Sequence, residues 1–191
     1  MELVQKSVGS RKLFIFIIIL LLLLTGMVFS ACSKAEAEDP NVAVIEKVLT
    51  IQFKRPDKKM MDLLQDPNHT HVVDGKEVNL EFDQYIAEIY GEYFTEDYLT
   101  SFIQTWGLVY PTLADASDYK LDLKEVVVEQ HGAYSNRYTF TATVGYIKDS
   151  EDGKVADVSG VVLFSTKEKG KIGKFEYEED QGLTNELSSS E

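Results

Sequence analysis

Two of the chain's three histidines stand two residues apart in His69-Thr70-His71, with Asp66 and Asp74 close by. Two imidazoles and two carboxylates can begin a transition-metal site. Zinc, however, needs three or four convergent ligands and a supporting shell. On a turn-rich loop this pair reads as polar filler, and no metal site is expected. His131 stands alone before Gly132 and reads as a solvated turn residue. Asp149-Ser150-Glu151-Asp152-Gly153 is acid-rich in the manner of a calcium loop. It lacks the flanking helices and the bidentate glutamate, and a hairpin turn accounts for its Asp-Gly. No G-x-S-x-G, P-loop or Rossmann glycine pattern occurs. Asp83, Glu88 and Glu92 are the acids best placed for proton transfer, but each lies off the apolar stripe of its helix. No catalytic residue and no cofactor are expected.

Aromatic residues offer more. The chain has ten tyrosines, and Tyr85, Tyr90, Tyr93, Tyr98, Tyr138 and Tyr146 fall on faces that the patterning turns inward. Tyr85, Tyr90, Tyr98, Trp106, Tyr138 and Phe140 are the candidate lining of a pocket. Aromatic bodies with hydroxyl tips suit a mostly apolar guest. The plainer alternative is a packed core whose hydroxyls reach its rim. Tyrosine ionises near pH 10, so such a lining moves no proton at neutral pH. Isomerisation or hydrolysis would need a carboxylate buried against apolar side chains.

The elements that must position these residues are legible from periodicity. Asp39-Pro40 opens a helix, followed by Val44, Ile45, Val48, Leu49 and Phe53 at helical spacing. Pro56 interrupts it, and Met60, Leu63 and Leu64 make a second short stripe. Asp66-Pro67-Asn68 and Asp74-Gly75 are turns, with a short extended piece at His71-Val72-Val73. Phe82, Tyr85, Ile86, Ile89, Tyr90, Tyr93 and Phe94 predict one helix capped by Asn79. Thr95 starts another, which Gly107 ends. After Pro111 the period changes to two. Tyr119 to Val128 predicts a strand whose phase breaks at Val126-Val127-Val128, the mark of a bulge. Residues 134–147, 155–166 and 172–177 predict three more strands, with turns at Asp152-Gly153 and Lys169-Gly170. Residues 179–191 read as a frayed acidic and serine-rich tail. Helices followed by a strand meander give an α+β domain over 40–178, with N-terminal helices on a four-stranded antiparallel sheet.

The N-terminus is a different kind of sequence. Lys6, Arg11 and Lys12 precede an apolar run from Leu13 to Val28, and Ser30-Ala31 lead into Cys32. That layout is a signal peptide. Phe29-Ser30-Ala31-Cys32, which holds the chain's one cysteine, resembles the lipobox of bacterial lipoproteins, with Phe29 where leucine is usual. The resemblance implies a diacylglyceryl group on Cys32 and cleavage before it. Residues 1–31 would then be removed, 32–39 would be the tether, and the domain would sit on the extracytoplasmic face of the cell membrane. An uncleaved anchor is the alternative, since 13–31 is 19 residues and a span needs about 20.

Charge narrows the partners. The chain carries −13, and −15 once residues 1–31 are set aside. Nucleic acid is not an expected partner, because phosphate contacts need clustered Lys and Arg. The same excess opposes electrostatic adhesion to anionic lipid. Helices on a curved, bulged antiparallel sheet resemble the nuclear transport factor 2-like fold over about residues 40–178. The resemblance implies a cone, with Val72–Val78 where the family places a strand pair. That fold hosts enzymes and binding modules alike. The expected function is a non-enzymatic binding module for an envelope protein or a small apolar ligand. The alternative is a cone-pocket isomerase- or hydrolase-like enzyme.

Overall fold

The computed structural model describes residues 39–54, 57–148 and 152–189. The expected signal peptide, Cys32 and all of the expected tether but Asp39 therefore lie outside the described residues, as do Pro56 and residues 149–151. Among the described residues no helix is long and apolar enough to cross a membrane.

Local chemistry sets the helix starts. Asp39 accepts from the Asn41 amide at 2.9 Å and Pro40 occupies the first turn of α1 (Pro40–Gln52). Asp57 caps α2 (Lys58–Gln65) through the Met60 amide. A single 3-10 turn, Pro67–His69, leads to a hairpin of β1 (His71–Val73) and β2 (Lys76–Val78). Asp74 and Gly75 between them both have positive φ, 52° and 75°, as a two-residue hairpin turn requires. The sequence suggests only a loop with an extended piece here. The hairpin carries little apolar alternation because its side chains are almost all exposed.

Asn79 caps α3 (Leu80–Tyr90) and also donates to the Leu63 carbonyl at 2.6 Å, tying two helices end to end. The stripe predicted to run to Phe94 stops at Tyr90. Tyr93 to Thr95 instead extend along the sheet, with Phe94 bridged to Ile172. Next comes α4 (Glu96–Phe102), which runs into a π-helical stretch, Ile103–Gly107. Gly107 does not end the helical region. A further helix follows, α5 (Val109–Ala116). Pro111 sits in its first turn, where a missing N–H costs no hydrogen bond, so it is no breaker.

The four-stranded sheet has the order β3-β4-β5-β6, all antiparallel: β3 (Tyr119–Gln130), β4 (Arg137–Lys148), β5 (Lys154–Phe164) and β6 (Ile172–Glu179). The register slips between Leu123 and Glu125, leaving Lys124 as the extra residue of a bulge. That slip is the phase break visible at Val126-Val127-Val128. The expected inner phase of β4 holds: Tyr138, Phe140, Ala142, Val144 and Tyr146 are all buried. Tyr134 and Asn136 belong to the preceding turn rather than to the strand. An aromatic chain joins helices to sheet, with Phe94 stacked on Phe102 at 4.2 Å, Phe102 against Phe175 at 5.4 Å and Phe175 on Phe140 at 5.3 Å.

The tail is a correction. Residues 183–188 form a last helix, α6 (Leu183–Ser188), rather than a frayed end. Asp180 accepts from the Gly182 and Thr184 amides, and Leu183 and Leu187 are fully buried. Two leucines four apart are one turn of apolar face, too little to stand out among acids and serines.

Candidate functional site

Of the six aromatic residues expected to line a pocket, the structure brings three together and sets the other three apart. Tyr90, Trp106 and Phe140 gather around Tyr177. Trp106 meets the Tyr177 ring edge-on at 5.8 Å, and Phe140 meets it at 5.9 Å. Gln52, fully buried at the end of α1, donates to the Tyr90 hydroxyl at 2.5 Å and to the Gly107 carbonyl at 3.0 Å. Tyr177 donates to the Gln52 carbonyl oxygen at 3.5 Å. At Gly107 a larger residue would make the neighbouring Ile103 and Phe102 side chains shift. A Cβ there would stand 2.7 Å from Ile103 Cδ1.

The other three lie elsewhere. Tyr138 is at one end of the sheet, donating to Asp39 at 2.6 Å and accepting from Asn41 and Gln130 at 3.0 Å each. Tyr98 covers the edge of β6, donating to the Phe175 carbonyl at 2.9 Å and accepting from its amide at 3.0 Å. Tyr85 is on the surface, donating to Asp57, with the Lys59 ammonium 4.2 Å above its ring. Partial burial and the Asp57 carboxylate push its hydroxyl up to about 12.

Among the described residues the ionisable side chains buried in this interior are tyrosines. Burial pushes the Tyr90, Tyr110 and Tyr177 hydroxyls well above their ordinary value, with Asp180 reinforcing the effect at Tyr110. Among the described residues the buried polar ones are Gln52 and Thr95, with no buried Asp, Glu or His. Every buried side-chain polar atom has a partner. His69 pairs with Glu81, and His71 is exposed. No group of three or more His, Cys, Asp or Glu converges as a metal site among the described residues. Asp83, Glu88 and Glu92 border surface grooves. Tyr177 and Gln52 were absent from the sequence-derived lining. Their signals were there: Tyr177 alternates in phase with Phe175, and Gln52 stands beside Phe53 at the end of an apolar stripe.

Surface grooves among the described residues include three that none of the six candidates lines. One, of about 640 Å³, mixes Lys54 and Lys58 with Asp57, Glu88 and Glu92. Another, of about 590 Å³, carries Asp83 and Glu96 and no base. The third, of about 690 Å³, is the candidate site. Among the described residues Lys54, Lys120, Lys124 and Lys154 border it with one acid, Asp122, around an apolar floor that includes Leu121, Tyr146 and Ile147, with Val155 exposed beside them. The bulge positions it. Lys124 is the extra residue of β3, and its stem lies over Gly145, where a Cβ would be 2.6 Å from Lys124 Cε. Lys124 pairs with Asp122, and Lys154 with Glu186 at 3.0 Å. Lys54 and Lys120 have no ion-pair partner among the described residues. Apolar stems and charged heads around a concave floor can hold an anionic group on an apolar body.

No protein-family model, curated protein or solved structure matches the chain.

Proposed function

We propose that the chain is an extracytoplasmic lipoprotein, anchored through Cys32, whose nuclear transport factor 2-like domain is a non-enzymatic binding module. Its ligand is a small molecule with an anionic group on an apolar body, held in the lysine-bordered groove over the ends of β3, β4 and β5. One observation carries this: four lysines border one groove with an apolar floor, in a chain of net charge −13. Two supports come from the interior. It is filled by its own aromatics, and it buries no carboxylate or imidazole among the described residues. Acid–base catalysis depends on such a group with a shifted pKa.

Calorimetric titration of the Ser33–Glu191 domain tests this, with dodecyl phosphate below its micelle concentration and dodecanol as the uncharged control. Dodecyl phosphate binds and is recovered unchanged. Lys54→Gln/Lys120→Gln weakens it about tenfold, the equivalent of ~1.4 kcal/mol. Equal binding of dodecanol, or no effect of the double substitution, rejects the groove as an anion site.

A further inference from the structure

We infer that one end of the sheet is a membrane-docking face, built to lie on the anionic lipid surface to which Cys32 tethers the domain. The inference rests on the anchor reading above and adds an orientation to it.

Reach comes first. Seven peptide steps separate Cys32 from Asp39, which at no more than ~3.6 Å each span at most roughly 25 Å. Whatever lies beside Asp39 is therefore held close to the bilayer. Asp39 accepts from the Tyr138 hydroxyl at 2.6 Å, and Gln130 donates to the same oxygen at 3.0 Å and to the Ser135 carbonyl at 2.6 Å. The start of the domain is thus bonded to the base of the β3–β4 turn.

The β5–β6 turn lies at the same end. Asn136 donates to the Phe164 carbonyl at 3.0 Å and accepts from the Phe164 amide at 2.8 Å. The two turns are neighbours.

Their composition inverts that of the chain. Residues 130–137 and 165–171 carry Arg137, Lys167, Lys169 and Lys171 against one acid, Glu168. Lys167 and Lys169 are exposed. Lys171 is partly engaged, donating to the Gly91 carbonyl at 3.0 Å. Asp39 and Glu129 stand beside these turns, so the bases outnumber the acids at this end by four to three. Tyr134, 62% exposed at the tip of the β3–β4 turn, with the His131 ring 5.2 Å away, is an aromatic suited to the headgroup layer. Basic residues beside an anionic leaflet are attracted within a Debye length. Net charge alone argues for repulsion, but this end of the sheet is one of two places where bases outnumber acids, the other being the groove. The lysine-bordered groove is at the far end of the same strands. Val155 stands seven residues before Val162 along β5, roughly 23 Å away, so the groove lies at the end of the sheet remote from the two turns.

The test uses the full chain, processed in its host and reconstituted into phosphatidylserine-containing vesicles. Fluorophores are placed at Ala133→Cys or Val155→Cys, and quenching by headgroup-nitroxide lipid is read. Position 133 is expected to quench several-fold more than 155. The contrast should shrink in Lys167→Glu/Lys169→Glu and in phosphatidylcholine vesicles. Equal quenching at both sites, greater quenching at 155, or a contrast indifferent to charge reversal overturns the docking face. Mass spectrometry of the Cys32 peptide separates the two readings. A lipidated Cys32 with no contrast refutes the orientation alone, and an unmodified Cys32 refutes the anchor and the docking face with it.

Discussion

Asp180 links the last helix to the interior. Partial burial alone would raise its carboxyl pKa, but the Thr184 and Gly182 amides and the Thr184 and Tyr110 hydroxyls outweigh that and hold it below the usual aspartate value. A carboxylate favoured in the folded state stabilises at pH values above its unfolded pKa, near 3.9, and the contribution drains away as pH falls through the lower folded value. Asp180→Asn should therefore unfold at lower urea than wild type at pH 7, with the difference closing in acid. A difference that is constant from pH 7 to pH 2 contradicts the assignment. At this scale the sequence told residue type better than residue role. Tyr98 and Tyr138 were expected on inner faces, yet their hydroxyls close a strand edge and hold the chain's entry to the domain. Periodicity reports which face a side chain takes and carries nothing about the partner its polar tip meets.

Elements were legible wherever one face is buried along several turns or strand pairs. The β4 stripe, the caps at Asp39 and Asn79 and the bulge in β3 all follow from pattern and cap chemistry. Two short helices escaped, α5 because Pro111 in a first turn looks like a breaker, and α6 because its apolar face is two leucines. The face assignment of β4 has a direct consequence for stability. Phe140 is 2% exposed and stacks on Phe175, while Thr141 beside it is exposed. Phe140→Ala should cost about 3–5 kcal/mol in denaturant melts, the range for an emptied aromatic core site. Thr141→Ala should cost under about 0.5 kcal/mol. Similar losses would mean that the faces are exchanged. The pairing also explains Gly160, opposite Phe140 on β5, where a Cβ would sit 2.6 Å from Phe140 Cζ.

For the whole molecule the sequence conveyed architecture and missed the site. An inner pocket was a reasonable expectation from the tyrosines, but it depended on a hollow between helices and sheet. Core volume is a sum over every element, and no stripe taken singly reveals it. The groove was invisible for a different reason: Lys54, Lys120, Lys124 and Lys154 are scattered over a hundred residues and meet only through the register of β3, β4 and β5 and the end of α1. The central claim is that the ligand binds outside the aromatic interior, at that groove. The measurement that tests it most directly is an amide and side-chain NMR titration of the Ser33–Glu191 domain with dodecyl phosphate. Shifts confined to residues 120–124, 145–147 and 153–155, with the Gln52 side-chain amide and Gly107 unmoved, are the predicted result. Shifts centred on Gln52, Gly107 and the Tyr90 and Tyr177 rings would place the guest among the buried aromatics and contradict the claim.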